Sequence, residues 1–140
     1  GLRAGPVTYW SLFEIQPFAN TLYRVRMSGV QVKEYLEKIV ARDELREHVS
    51  GVTIGYNPEL PTGQRIVSLR LPAGRTLSEA AMYNVVVSNF MATGGVNMAP
   101  PKGARLTPLD IVDLDALIDY IRTLPSPLVA PAESRIMIMQ

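Results

Sequence analysis

Proline and glycine recur so regularly along this chain that long helices and long strands are shut out. Eleven prolines and ten glycines are spread over 140 residues. Proline blocks the interior of a helix and removes a ladder donor from a strand, while glycine favours turns. What fits between them is a series of short elements. With 47% hydrophobic residues the chain can bury one core, and it is short for two. Residues 1–140 therefore read as a single domain. The absence of an initiator Met and the strong pattern close to Gly1 suggest a piece of a longer protein.

The elements follow from periodicity and caps. Val7 to Ile15, with Thr8 as N-cap, reads as a short helix closed by Pro17. Thr21 to Met27 alternates as a strand. Ser28 and Gln31 form a capping box, and Val32, Tyr35, Leu36, Ile39 and Val40 then lie on one helical stripe. Lys33, Glu34, Glu37 and Lys38 fall off that stripe and read as its solvated face. Val49–Tyr56 and Gln64–Leu71 read as two strands of a hairpin. Met82–Phe90, with its Val85-Val86-Val87 run, reads as a strand buried on both faces. Thr93–Gly103 is a Gly- and Pro-rich loop. Thr107 is expected to cap a helix with Pro108 first and Asp110 at N3, its stripe formed by Leu114, Leu117, Ile118 and Ile121. Pro125, Pro127 and Pro131 mark an extended linker, and Arg135–Met139 a last strand. Irregular interleaving with a hairpin predicts an α+β fold, a mixed β-sheet with packed helices.

Composition narrows the chemistry. The 14 basic and 13 acidic residues nearly cancel, which argues against a nucleic-acid binder. There is no cysteine, so disulfides and Cys-ligated zinc are excluded. The one histidine, His48, cannot supply a metal centre that draws on several imidazoles, and it reads as structural or surface. The aspartates at 110, 113, 115 and 119 scatter around a helix and suit its N-terminus rather than a metal. No catalytic residue and no metal ligand are assigned. No apolar run approaches the roughly 18 residues that span a bilayer, and Gly1–Pro6 lacks the apolar region of a signal peptide.

Two segments differ from ordinary core. Gln16–Thr21 sets Phe18 in a tight turn between helix and strand. Ser88–Asn97 sets Phe90 at a strand end before a Gly-Gly loop, a place where binding groups are often presented. Pattern alone leaves two readings open. Both phenylalanines could belong to the core, or they could sandwich a planar ring, which is worth about 1–3 kcal/mol per base.

The strings GPVTYWSLFEIQPFANTL from Gly5 and SNFMATGG from Ser88 resemble the two signatures of the C-terminal, substrate-binding domain of the 5′-nucleotidase family. That family includes UDP-sugar hydrolases and 2′,3′-cyclic phosphodiesterases. MSGVQVKEYLE from Met27, VSGVTIGYN from Val49 and DLDALIDYI from Asp113 resemble its capped helix, a strand and its late helix, in order. The resemblance implies that Phe18 and Phe90 stack on a nucleobase, that Asn20 hydrogen-bonds it, and that Arg3 holds the phosphate. It places Gly94, Gly95 and Asn97 in the same pocket. It implies a separate N-terminal metallophosphoesterase domain carrying two divalent metal ions and the catalytic His-Asp pair. This chain itself would then need no cofactor, and its partners would be a nucleoside or nucleotide and that domain. A periplasmic, extracellular or cell-surface location is implied in the same way.

Three departures stand out. Val96 occupies the position where the family usually has an Asp for the ribose hydroxyls. The span from Arg3 to Val7 is shorter than the family's usual one. Ala19 stands where Gly is commoner. Val96 opens two alternatives: a non-catalytic scaffold or binding module with a degraded nucleoside pocket, or a family member acting on a cyclic nucleotide or nucleotide-sugar, whose ribose or ester differs.

Overall fold

The computed structural model of the chain describes residues 1–41 and 47–139. Helix α1 spans Tyr9–Ile15, with Thr8 and Ser11 closing a capping box. Strand β1 (Thr21–Ser28) runs directly into helix α2 (Gly29–Val40), capped by Ser28 and Gln31 as the sequence predicts. Strands β2 (Thr53–Tyr56) and β3 (Ile66–Arg70) form the expected antiparallel hairpin. Strand β4 (Met82–Ser88) leads into a single helical turn, α3 (Asn89–Ala92). Strand β5 (Arg105–Val112), helix α4 (Asp113–Thr123) and strand β6 (Ile136–Ile138) complete the described chain.

The strands form two three-stranded sheets. One is antiparallel in the order β4-β1-β5. The other has the order β3-β2-β6 and is mixed, because β6 lies parallel to β2. The α+β architecture of mixed pairing and packed helices is therefore as expected. The α2 stripe contributes Val32, Tyr35, Leu36, Ile39 and Val40 to the core, which also takes Val25 and Met27 from β1 and Ile54 and Tyr56 from β2. Ile66, Val87 and Met98 join the same cluster.

Four local expectations need correction. Thr107, Pro108 and Asp110 lie in β5, and the helix begins only at Asp113, without a side-chain cap. Pro108 is tolerated there because β5 is an edge strand, where a missing N–H faces no partner ladder. Asp110 takes a positive φ of 53°, in a stretch where the β1–β5 register shifts. Second, β4 is not buried on both faces. It is an edge strand whose Val87 is buried while Val86 is 55% exposed. Third, this strand stops at Ser88, not Phe90, because the Ser88 hydroxyl accepts from the Met91 N–H and starts α3. Fourth, Glu37 is buried rather than solvated. Its carboxylate accepts from the backbone N–H groups of Arg65 and Ile66 at 3.1 and 2.8 Å. A buried carboxylate is tolerable when donors surround it, and here it ties α2 to the start of β3.

Candidate functional site

Chain topology brings the two singled-out segments to one end of the β4-β1-β5 sheet. Leu22 of β1 pairs with Ser88 of β4 in an antiparallel register. Phe18 lies four residues before Leu22 and Phe90 two after Ser88, so both leave the sheet at the same end. Thr21 pairs with Val112, which puts the start of α4 there as well. Phe18 is 70% and Phe90 52% exposed. The reading that places both in the core is thereby excluded, since a benzyl group left in water forgoes about 1.5–3 kcal/mol of burial.

The turn that carries Phe18 is held from α4. Ala19 sits at a φ of 48°, which gives the turn its sharpness. The Asp113 N–H donates to the Asn20 carbonyl at 2.8 Å, and the Asp113 carboxylate accepts from Gln16 Nε2 and Asn20 Nδ2. The sequence singles out the Gln16–Thr21 segment, whereas Asp113 reads there only as a charge near a helix end. The missed signal was its place as the first residue of the helix, directly after β5.

Phe90 is held differently. After α3 the chain makes a tight turn, Gly95–Asn97. A methyl group added at Gly95 would lie 2.6 Å from three carbons of the Phe90 ring. The ring therefore rests against the Gly95 backbone, and a side chain at that position would have to push it aside. Thr93 Oγ1 donates to the carbonyls of Asn89 and Phe90 and closes the helical turn. Val96 and Asn97 both lie at positive φ, 50° and 59°, and both are exposed. Valine is poorly suited to that region, where Asn and Asp are several-fold enriched.

The turn is also fixed from beneath by α2. The Tyr35 hydroxyl donates to the Met98 carbonyl at 2.8 Å, and Lys38 Nζ donates to the Ala99 carbonyl at 2.7 Å. Burial, helped by the charge of Glu47, pushes the Tyr35 hydroxyl up from 10.0 to about 12. A group whose folded value is raised lends stability that is complete below its unfolded value and is lost as pH climbs through the folded one. Urea midpoints should therefore fall between pH 10 and pH 12. In Tyr35→Phe the fall should be shallower, on a baseline lowered by about 1 kcal/mol for the lost hydrogen bond. Equal pH slopes in the two proteins would contradict this.

Among the expected site residues, the structure gathers Phe18 and Asn20 on one turn and Phe90, Gly94, Gly95 and Asn97 on another, at the same end of the sheet. Arg3 stands on the N-terminal segment ahead of α1. It is exposed and lines a cleft of about 1040 Å³ with Pro6, Ile15, Ile121, Leu124 and Leu128, a lining that includes neither phenylalanine. His48 is exposed. Among the described residues no three His, Cys, Asp or Glu side chains are grouped to hold a metal ion.

Comparison with known proteins agrees with this architecture. A sequence profile described as 5′-nucleotidase, C-terminal domain, matches residues 1–102. A 5′-nucleotidase-related protein of Glossina morsitans morsitans is 31% identical, with 99% of this chain and 27% of the relative covered. Endonuclease YhcR of Bacillus subtilis is 27% identical over 99% of this chain and 11% of its own length. The crystal structure of a 5′-nucleotidase precursor from Thermus thermophilus superposes with a TM-score of 0.84 at 28% identity, covering 96% of this chain and 28% of that one. The chain belongs to the 5′-nucleotidase C-terminal domain family. It spans little more than a quarter, at most, of the length of these relatives.

Proposed function

We propose that this chain is the substrate-binding domain of a metal-dependent, 5′-nucleotidase-type phosphohydrolase and that it holds a nucleoside base between Phe18 and Phe90. The observation that carries this is the pair of exposed benzyl groups on two separately braced turns at one sheet end. Two faces that clamp a purine recognise it by stacking, tolerant of base identity. Asn20 adds an edge contact, and Gly94, Gly95 and Asn97 let the chain approach the sugar closely. Arg3, on its own cleft, would meet a phosphate only if that cleft opens toward the clamp.

An N-terminal metallophosphoesterase domain of the same polypeptide would carry two divalent metal ions and a His-Asp pair. When bound, such metals activate water and offset charge on the phosphate ester. The part of this chain is to bind the base and orient the ester, so alone it should hydrolyse nothing. Relatives several times longer, among them an apyrase of Tabanus yao and the Thermus precursor, support a partner domain and an ester substrate. A periplasmic, extracellular or cell-surface location is supported by a cell wall protein of Listeria monocytogenes among the relatives. Among the described residues no helix is long and apolar enough to cross a membrane.

Val96 favours a second reading, a scaffold whose pocket no longer reads ribose. Val96→Asp separates the two. An aspartate suits the positive φ better and restores a charged acceptor, worth about 1.5–3 kcal/mol or roughly 10- to 100-fold. Calorimetric titration with adenosine should show weak binding to the natural chain and tighter binding to Val96→Asp. A folded Val96→Asp chain that gains nothing would favour the scaffold.

A further inference from the structure

Asp113 is one of two charged residues that the fold buries among those described, and the proposed function gives its side chain no part in recognising the base. Three donors face its carboxylate: Gln16 Nε2 at 2.6 Å, Asn20 Nδ2 at 3.3 Å and the Leu114 N–H at 2.8 Å. Its own N–H donates to the Asn20 carbonyl at 2.8 Å. One residue at the start of α4 thus grips the turn of Phe18 at both ends, Gln16 and Asn20.

The chemistry of this grip is directional. A carboxylate accepts and has nothing to donate, so an amide must meet it nitrogen first. Asn20 is therefore not free to turn over. Asp113 takes its Nδ2 end, which leaves Oδ1 as the end of the amide available to a ligand. We infer that Asp113 is a positioning residue of the base site, which braces the Phe18 turn and offers the heterocycle the acceptor end of Asn20. This rests on the stacking reading and adds a substrate class to it: heterocycles that present an N–H at that edge, such as aminopurines, over rings that present acceptors alone.

The test compares adenosine with purine riboside, which has the same stacking ring without the exocyclic amine. A single added hydrogen bond of about 1 kcal/mol corresponds to roughly five-fold. The natural chain should therefore prefer adenosine about five-fold. In Asp113→Asn the new side chain can present its own N–H to residue 20, so Asn20 can reverse. The preference should fall toward one while purine riboside affinity stays within about two-fold. Gln16→Ala removes a donor from Asp113 without reversing Asn20, and the preference should survive. A merely structural Asp113 would lower both affinities together and leave the ratio unchanged.

A measurement on the natural chain covers the case in which Asp113→Asn does not fold. One Asn20 side-chain amide proton should be protected from solvent exchange, with and without adenosine. Rapid exchange of both protons overturns the proposal. So does equal affinity of the natural chain for the two nucleosides, or a preference that persists in folded Asp113→Asn. If neither nucleoside binds, the base site itself is refuted. If both bind equally, the clamp stands and only the orientation of Asn20 falls.

Discussion

Gly29→Ala is expected to lower the unfolding free energy by about 3 kcal/mol, the upper end of what a single overpacked methyl usually costs. Gly29 is the first residue of α2 and lies flush against the backbone of Ser78 and Glu79. An added methyl would collide with the Ser78 carbonyl oxygen and come within 2.8 Å of the Glu79 Cα. Backbone cannot rotate aside as a side chain would. It is held there by hydrogen bonds from Gly29 N–H to the Ala81 carbonyl and from Val30 N–H to the Glu79 carbonyl. The gain of about 1 kcal/mol that alanine brings to a helix is too small to compensate. Urea unfolding checks this, and a change below about 0.5 kcal/mol, the range of ordinary surface substitutions, would contradict the contact. The consequence reaches the site, because residues 78–81 lead into β4 and thence to Phe90.

The second large effect is on binding. Phe18→Ala and Phe90→Ala should each weaken adenosine binding by about 1–3 kcal/mol, roughly 5- to 150-fold, and the double variant should abolish measurable binding. Neither should cost much stability, because both rings stand mostly in solvent. That separates the proposal from a core role, in which Phe→Ala costs about 3–5 kcal/mol of folding energy. Stability unchanged and affinity lost is the expected pair of results. Affinity unchanged in both single variants would leave the exposed rings without the role assigned to them.

The sequence conveyed local structure where a single interaction range decides it. The α2 capping box and stripe are contained in adjacent residues, so Ser28, Gln31 and the five apolar positions were legible in full. Thr107-Pro108 misled because a capping pattern is local, whereas the pairing of Thr107 with Arg24 of β1 comes from 83 residues away. Val86 misled because a run of valines does not show whether the strand lies at an edge. Glu37 looked like surface because its partners, the Arg65 and Ile66 N–H groups, are backbone atoms that no side-chain pattern encodes. At the candidate site, the aromatic residues and the glycines were visible as types in unusual places. Their common location needed the β1–β4 register, and the role of Asp113 needed the fold of α4 against the Phe18 turn.

In the proposed site two phenyl rings close on the faces of one flat heterocycle. Proton NMR of adenosine titrated into the chain tests this directly, because a purine between two rings has its H2 and H8 resonances moved upfield by both ring currents. Upfield shifts of both protons are expected in the natural chain, reduced in Phe18→Ala and in Phe90→Ala alike. Saturable binding with H2 and H8 unmoved, or shifts that neither substitution alters, would contradict it.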